Sequence, residues 1–181
     1  MTKPLILPYR GEYHPNGVSP TISPKAFIAP GAVVIGDVHI GDDTGVWFGC
    51  VIRGDVNSIR IGSRTNIQDG TVIHVTRHTG PTTIGSGVTI GHSVLLHACT
   101  LEDNCFIGMH ATVMDGAVVE SGAMLAAGAL LTPGKRVPKG QIWAGNPAKY
   151  FKDLTEKDLA FFPVSAENYV RHAKEYLALS L

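Results

Sequence analysis

Apolar residues recur every sixth position along this chain, and a six-residue period suits neither an isolated helix nor an ordinary sheet. The series starts at Ile28, Val34, Ile40, Val46 and Ile52. It slips by three residues and resumes at Ile61, Ile67 and Ile73, then slips by five and resumes at Ile84, Ile90 and Leu96. After a shortening by one residue it runs through Leu101, Ile107, Val113, Val119, Leu125, Leu131, Val137 and Trp143. The following residue is often small, as at Ala29, Gly41, Gly62, Gly85, Gly91, Gly108, Ala126 and Ala144. A branched apolar residue followed by glycine suits a short strand that ends in a tight corner. Side chains alternate along a strand, so the first position of each hexad points inward and the second outward. One hexad cannot bury its own face, so successive coils must stack.

This pattern resembles the left-handed parallel β-helix of the hexapeptide-repeat superfamily, in which three hexads of about 18 residues close one triangular coil. The resemblance implies a mainly β fold, and the changed pattern after Pro147 adds C-terminal α-helices. Residues 1–25 are expected as an N-terminal extended segment, 26–147 as the β-helix and 148–181 as a helical segment packed on it. In that last segment Leu154 to Phe162 reads as a short helix, with Thr155 and Asp158 at capping-box spacing. Pro163 is expected to end it, and Ser165 to cap a second helix through about Leu179, with Tyr169, Ala173, Tyr176 and Leu177 on one face.

Composition removes several classes of function. Hydrophobic residues are 44% and charged residues 17% of 181, which excludes a disordered chain. Lysine plus arginine is 15 and aspartate plus glutamate is 15, so no basic field exists for nucleic acid or an anionic membrane. No run reaches the roughly 18 apolar residues of a membrane span. The first residues hold Pro4, Pro8 and Pro15 and no continuous apolar stretch, so a secretory signal is not expected. Cys50, Cys99 and Cys105 lack a disulfide framework and read as buried thiols in a reducing cytoplasm.

The eight histidines carry the chemistry. Arg53, Gln68, His74 and His97 occupy the outward second position. Arg53 to His74 is 21 residues, less the three-residue slip, and His74 to His97 is 23, less the five-residue slip; each difference is one coil of 18. The three should form a ladder on one outer face, with rungs about 4.8 Å apart. Two imidazoles at that spacing can share a metal with bonds of about 2.0–2.1 Å. Gln68 and His92 fall on the preceding face, turned about 120° away in a triangular prism, so His92 should reach a metal held by a neighbouring chain. The expected site is His74 and His97 of one subunit and His92 of the next, in a homotrimer. Three histidines leave a coordination position open, the catalytic arrangement for zinc; iron(II) or cobalt(II) also suits imidazole. His14, His39, His110 and His172 read as non-ligands, and His78, in the loop after His74, as a solvated residue or a proton shuttle.

Arg53-Gly54-Asp55, Asn66-Ile67-Gln68-Asp69 followed by His74, and Gly91-His92 with His97 five residues on together resemble the γ-class carbonic anhydrase family. Glu167-Asn168-Tyr169-Val170 resembles its short bacterial members. The resemblance implies reversible hydration of CO2 to bicarbonate by metal-bound hydroxide, with Gln68 hydrogen-bonding that hydroxide, Arg53 and Asp55 as an interface pair, and Tyr169 either near the pocket or packed between helix and prism. It leaves Arg53 either fixing the trimer, through a neighbour's carboxylate such as Asp69, or helping bicarbonate. Glutamates that assist proton transfer in the family are matched here by Val56 and Arg77. A hexapeptide acyltransferase and a non-catalytic metal-binding trimer are the competing readings.

Overall fold

The structure is a computed structural model that describes residues 3–179. The chain winds as a parallel β-solenoid of about seven turns with one C-terminal helix. Each turn places one strand on each of three faces. The first face runs from Leu5–Leu7 through Val72–His74 and Leu95–His97 to Leu130–Leu131. The second runs from Thr21–Ile22 through Thr82–Ile84 to Arg136–Val137. The third runs from Phe27–Ile28 through Asn66–Ile67 and Thr89–Ile90 to Gln141–Ala144, where Lys149–Asp153 adds one antiparallel strand. The segment before residue 26 joins this stack: Leu5–Leu7 pairs in parallel with Val33–Ile35, and Thr21–Ile22 with His39–Ile40. Between them Tyr9–Gly11 and His14–Val18 form a small antiparallel hairpin.

The inward column is the six-residue series itself. All of its members except Ile28 and Trp143, at the two ends, are buried. Stacked rungs put them in register, as Ile52 on Ile73 on Leu96 on Val113. Corners must let backbone pass close to backbone. A Cβ on Gly62 would lie 2.7 Å from the Gly85 carbonyl carbon, and one on Gly91 2.7 Å from the Met109 nitrogen, so only glycine fits there.

Both slips in the period are local insertions. Gly36 pairs with Gly54 and Val38 with Ile59, so the strand Val51–Ile61 carries three extra residues across one corner, a bulge that bends it. The five-residue slip is the loop after Val75, pinched shut by the bridge between Thr76 and Gly80. Cys50, Cys99 and Cys105 are buried and unpaired, and burial pushes the Cys50 and Cys99 thiols up to about 11 and about 12.

The C-terminal segment departs from the expected pair of helices. One helix runs unbroken over Glu156–Ala178 with Pro163 inside it. Thr155 caps it with the expected box: its hydroxyl accepts the Asp158 N–H at 3.2 Å, and Asp158 accepts the Thr155 N–H at 2.9 Å. Pro163 removes one helical hydrogen bond, but Phe162, Ala166, Val170 and Ala173 form one buried stripe only if the helix continues. Ser165 is no cap. It is buried, and its hydroxyl meets Thr89 Oγ1 of the third face at 3.0 Å. Tyr169 and Tyr176 pack on Trp47, and Tyr176 also on Phe27, whereas Leu177 is exposed. The helix therefore covers the upper part of the third face. No helix among the described residues is long and apolar enough to cross a membrane.

Candidate functional site

The outward residues fall into two groups on adjoining parts of the prism. On the first face His74 pairs in register with His97. Their ring centroids are 5.2 Å apart, and His74 Nδ1 lies 3.3 Å from His97 Nε2. Arg53 stands in the same column one rung above and pairs with the Asp55 carboxylate. Asp55 shares its side of the strand, two residues on, and its Oδ1 lies 3.0 Å from His74 Nε2. On the far side, His97 Nδ1 lies 2.7 Å from Asp115 Oδ1.

The flanking carboxylates favour a hydrogen on each outer ring nitrogen. A carboxylate only accepts, so each outer ring nitrogen carries the hydrogen it donates to Asp55 or Asp115. The inner nitrogens, His74 Nδ1 and His97 Nε2, then face each other. Burial above all holds His74 below its ordinary value of 6.5, helped by the charges of Arg53 and His97 and opposed by Asp55, so the ring is neutral at neutral pH. Two ring nitrogens facing across 3.3 Å are placed to share a cation. Nitrogens bound tetrahedrally at 2.0–2.1 Å stand about 3.3–3.4 Å apart, so this pair fits the metal expected from the sequence. Burial alone would raise the carboxyls of Asp55 and Asp115. Hydrogen bonds from His74 and Arg53 to Asp55, and from Thr76 and His97 to Asp115, outweigh it and hold both below the ordinary carboxylate value.

The second group lies where the third face turns into the first. Asp69 stacks one coil above His92, and its Oδ2 lies 2.9 Å from His92 Nδ1. Gln68 is buried, and its Nε2 donates to Asn66 Oδ1 at 3.0 Å. Asn66 Nδ2 donates to Thr89 Oγ1 at 3.0 Å, and Thr89 meets Ser165 of the helix. This chain of donors fixes the amide of Gln68 with its oxygen free to accept. Gln68, His92 and Tyr169 line one cavity of about 380 Å³, whose other walls include Phe106, Met109, Met124 and Phe161. Burial and the nearby charge of Asp69 raise the Tyr169 hydroxyl. Tyr169 thus packs between helix and prism and reaches the cavity as well.

Within one chain the two groups stay apart. Among the described residues no three histidine, cysteine, aspartate or glutamate side chains converge on one metal position. Arg53 and Asp69, weighed as partners across an interface, pair within the chain with Asp55 and His92 respectively. His78 lies away from His74, edge-on to Tyr13 with ring centroids 5.1 Å apart, beside a cavity shared with His14 and Val56. The sequence reading missed Asp115 and Thr76. Thr76 stands two residues beyond His74, hence on the same side of the chain, and that spacing was the signal for it.

A family model for the bacterial transferase hexapeptide (six repeats) matches residues 19–54. The chain is 50% identical over 165 residues to "Gamma carbonic anhydrase 1, mitochondrial" of Arabidopsis thaliana, covering 88% of this chain and 60% of the relative. It thus spans about three fifths of the length of the plant relatives. It is 50% identical over 150 residues to the "Probable carbonic anhydrase" of Methanocaldococcus jannaschii, covering 83% of this chain and 94% of that one. A crystal structure of a hexapeptide transferase family protein from Anaplasma phagocytophilum superposes with a TM-score of 0.88 at 50% identity, over 95% of this chain and 98% of that one.

Proposed function

The chain belongs to the γ-carbonic anhydrase family, and from that premise we propose that it hydrates CO2 reversibly to bicarbonate at metal sites shared between the copies of a trimer. The observation that carries this reading is the facing pair of imidazoles, His74 and His97, whose outer nitrogens are each tied to a carboxylate. His74 and His97 of one copy and His92 of the next would hold the metal. Zinc suits three imidazoles, and iron(II) or cobalt(II) suits the same donors. When bound, the metal brings the pKa of water down toward about 7, so that hydroxide is available near neutral pH.

The remaining work belongs to the chain. Asp55, Asp115 and Asp69 hold the three rings in the tautomer that leaves the inner nitrogen free. Gln68 offers its amide oxygen to an O–H group and orients it without itself titrating. The apolar wall of Phe106, Met109, Met124 and Phe161 suits an apolar substrate. Arg53 holds Asp55 in place, and Tyr169 closes the helix side of the cavity. Val72 and Leu95 are exposed beside His74 and His97, and Met109 is exposed one coil below His92. Apolar surface beside both halves of the site is what a contact between copies would bury. The matched transferase model ends at residue 54, before every one of the three histidines, so it adds no support for acyl transfer at this site.

Stopped-flow CO2 hydration tests the proposal, on zinc-loaded protein, on iron(II)-loaded protein without oxygen, and on a chelated control. Hydration should require metal and vanish in His92→Ala. Full activity in His92→Ala or in the chelated protein sinks the shared site, and saturable acetyl-CoA binding without hydration would favour the acyltransferase instead.

A further inference from the structure

Asp115 sits one residue past the register partner of His97, in the corner after Thr112–Val113. One of its oxygens lies 2.7 Å from His97 Nδ1. The other accepts the hydroxyl of Thr76. Thr76 is itself held from three sides. Its N–H donates to the Gly80 carbonyl at 2.8 Å, and its carbonyl accepts from Gly80 N–H at 3.3 Å and from Asn57 Nδ2 at 3.0 Å. Thr76 therefore belongs to the five-residue insertion that follows His74, and through Asp115 it reaches the ring of His97 on the next coil. The two carboxylates that flank the imidazole pair differ in one respect. Asp55 shares its charge with Arg53, while the only ionic partner of Asp115 among the described residues is His97.

We propose that Asp115 and Thr76 are positioning residues for His97: Asp115 fixes the tautomer and raises the donor strength of the ring, and Thr76 fixes Asp115. This rests on the reading of His97 as a metal ligand. A carboxylate that accepts the outer ring N–H holds the ring's orientation and leaves the inner nitrogen of His97 facing His74. The insertion then has a task beyond lengthening the coil: it delivers a hydroxyl that orients a carboxylate on the neighbouring rung.

The test is zinc affinity by chelator competition, together with the absorption bands of the cobalt(II)-loaded protein, on full-length wild type, Asp115→Asn, Thr76→Val and Thr76→Ser. Asp115→Asn keeps the shape and an accepting oxygen but loses the charge, and should weaken zinc by about 10- to 100-fold and shift the cobalt bands. Thr76→Val removes one hydrogen bond and should weaken zinc by about 2- to 10-fold; Thr76→Ser should restore wild-type affinity. If Asp115→Asn fails to fold, the Thr76 pair decides alone. Wild-type zinc affinity and unshifted cobalt bands in Asp115→Asn, or equal affinity in Thr76→Val and Thr76→Ser, overturn the proposal while leaving the metal site standing. A wild-type chain that takes up no zinc overturns both.

Discussion

The middle turns of the solenoid, residues 51–98, and the lower turns, residues 100–137, share one interior and differ on the outside. The first hexad position of both is isoleucine, leucine or valine at almost no exposure. Outward on the first face the column reads Arg53, His74 and His97, then changes to Met114 and Thr132. Both insertions also fall in the middle turns, and their residues, Asp55 and Thr76, buttress the histidine pair directly or through Asp115. The regular lower turns hold no counterpart. The repeat supplies the scaffold and the outward histidines, and interruptions of the repeat supply the groups that hold them.

If that division is right, equal damage to the interior should cost the same wherever it is made. Leu96→Ala and Leu125→Ala each empty a fully buried site, at 0% exposure, and each should destabilise the fold by about 2–5 kcal/mol in chemical denaturation. A cost confined to one of them would mean that the turns do not share a common core. Acid should separate the regions next. With its value held below 6.5, folded His74 refuses a proton that the unfolded chain accepts. The fold therefore loses stability as pH falls through 6.5, and gains nothing from this group above that. Asp55 and Asp115, held below 3.8, add a second loss as pH falls below the ordinary carboxylate value. Denaturation of metal-free protein across pH should show both limbs, and His74→Gln should erase the upper one. The smallest effect belongs to the corners. His110 is exposed at φ +58°, where the equivalent corner of the next coil has Gly128 at φ +68°. His110→Gly should therefore stabilise by about 1 kcal/mol or less, visible as a small rise in Tm.

The hexad period foretold the stacking, the inward column and both insertions because each depends on spacing along the chain. The pairing of His74 with His97 followed from subtracting the slips, for the same reason. Asp115 was hidden by the one-residue shortening before Leu101: register places His97 opposite Met114, and only side-chain reach brings in the next residue. The single helix was misread because Pro163 is a strong local signal. The competing term, a buried stripe from Phe162 to Ala173 against the third face, appears only once that face exists. Ile22 falls six residues before Ile28, in phase with the series, but Leu5–Leu7 stands apart from it beyond a hairpin, so the place of that first strand in the stack was not visible.

The antiparallel strand Lys149–Asp153 has a consequence for life in a crowded solution. A ladder of parallel rungs is a template that another molecule could extend, rung upon rung, into a fibre. On the third face that growth stops, because the last strand runs the wrong way to receive a further parallel rung and carries Lys149, Lys152 and Asp153 in exposed positions. On the other two faces the final strands, Leu130–Leu131 and Arg136–Val137, are two residues long and offer few backbone groups to a neighbour. The chain thus uses an endlessly repeatable motif and terminates it by reversing direction.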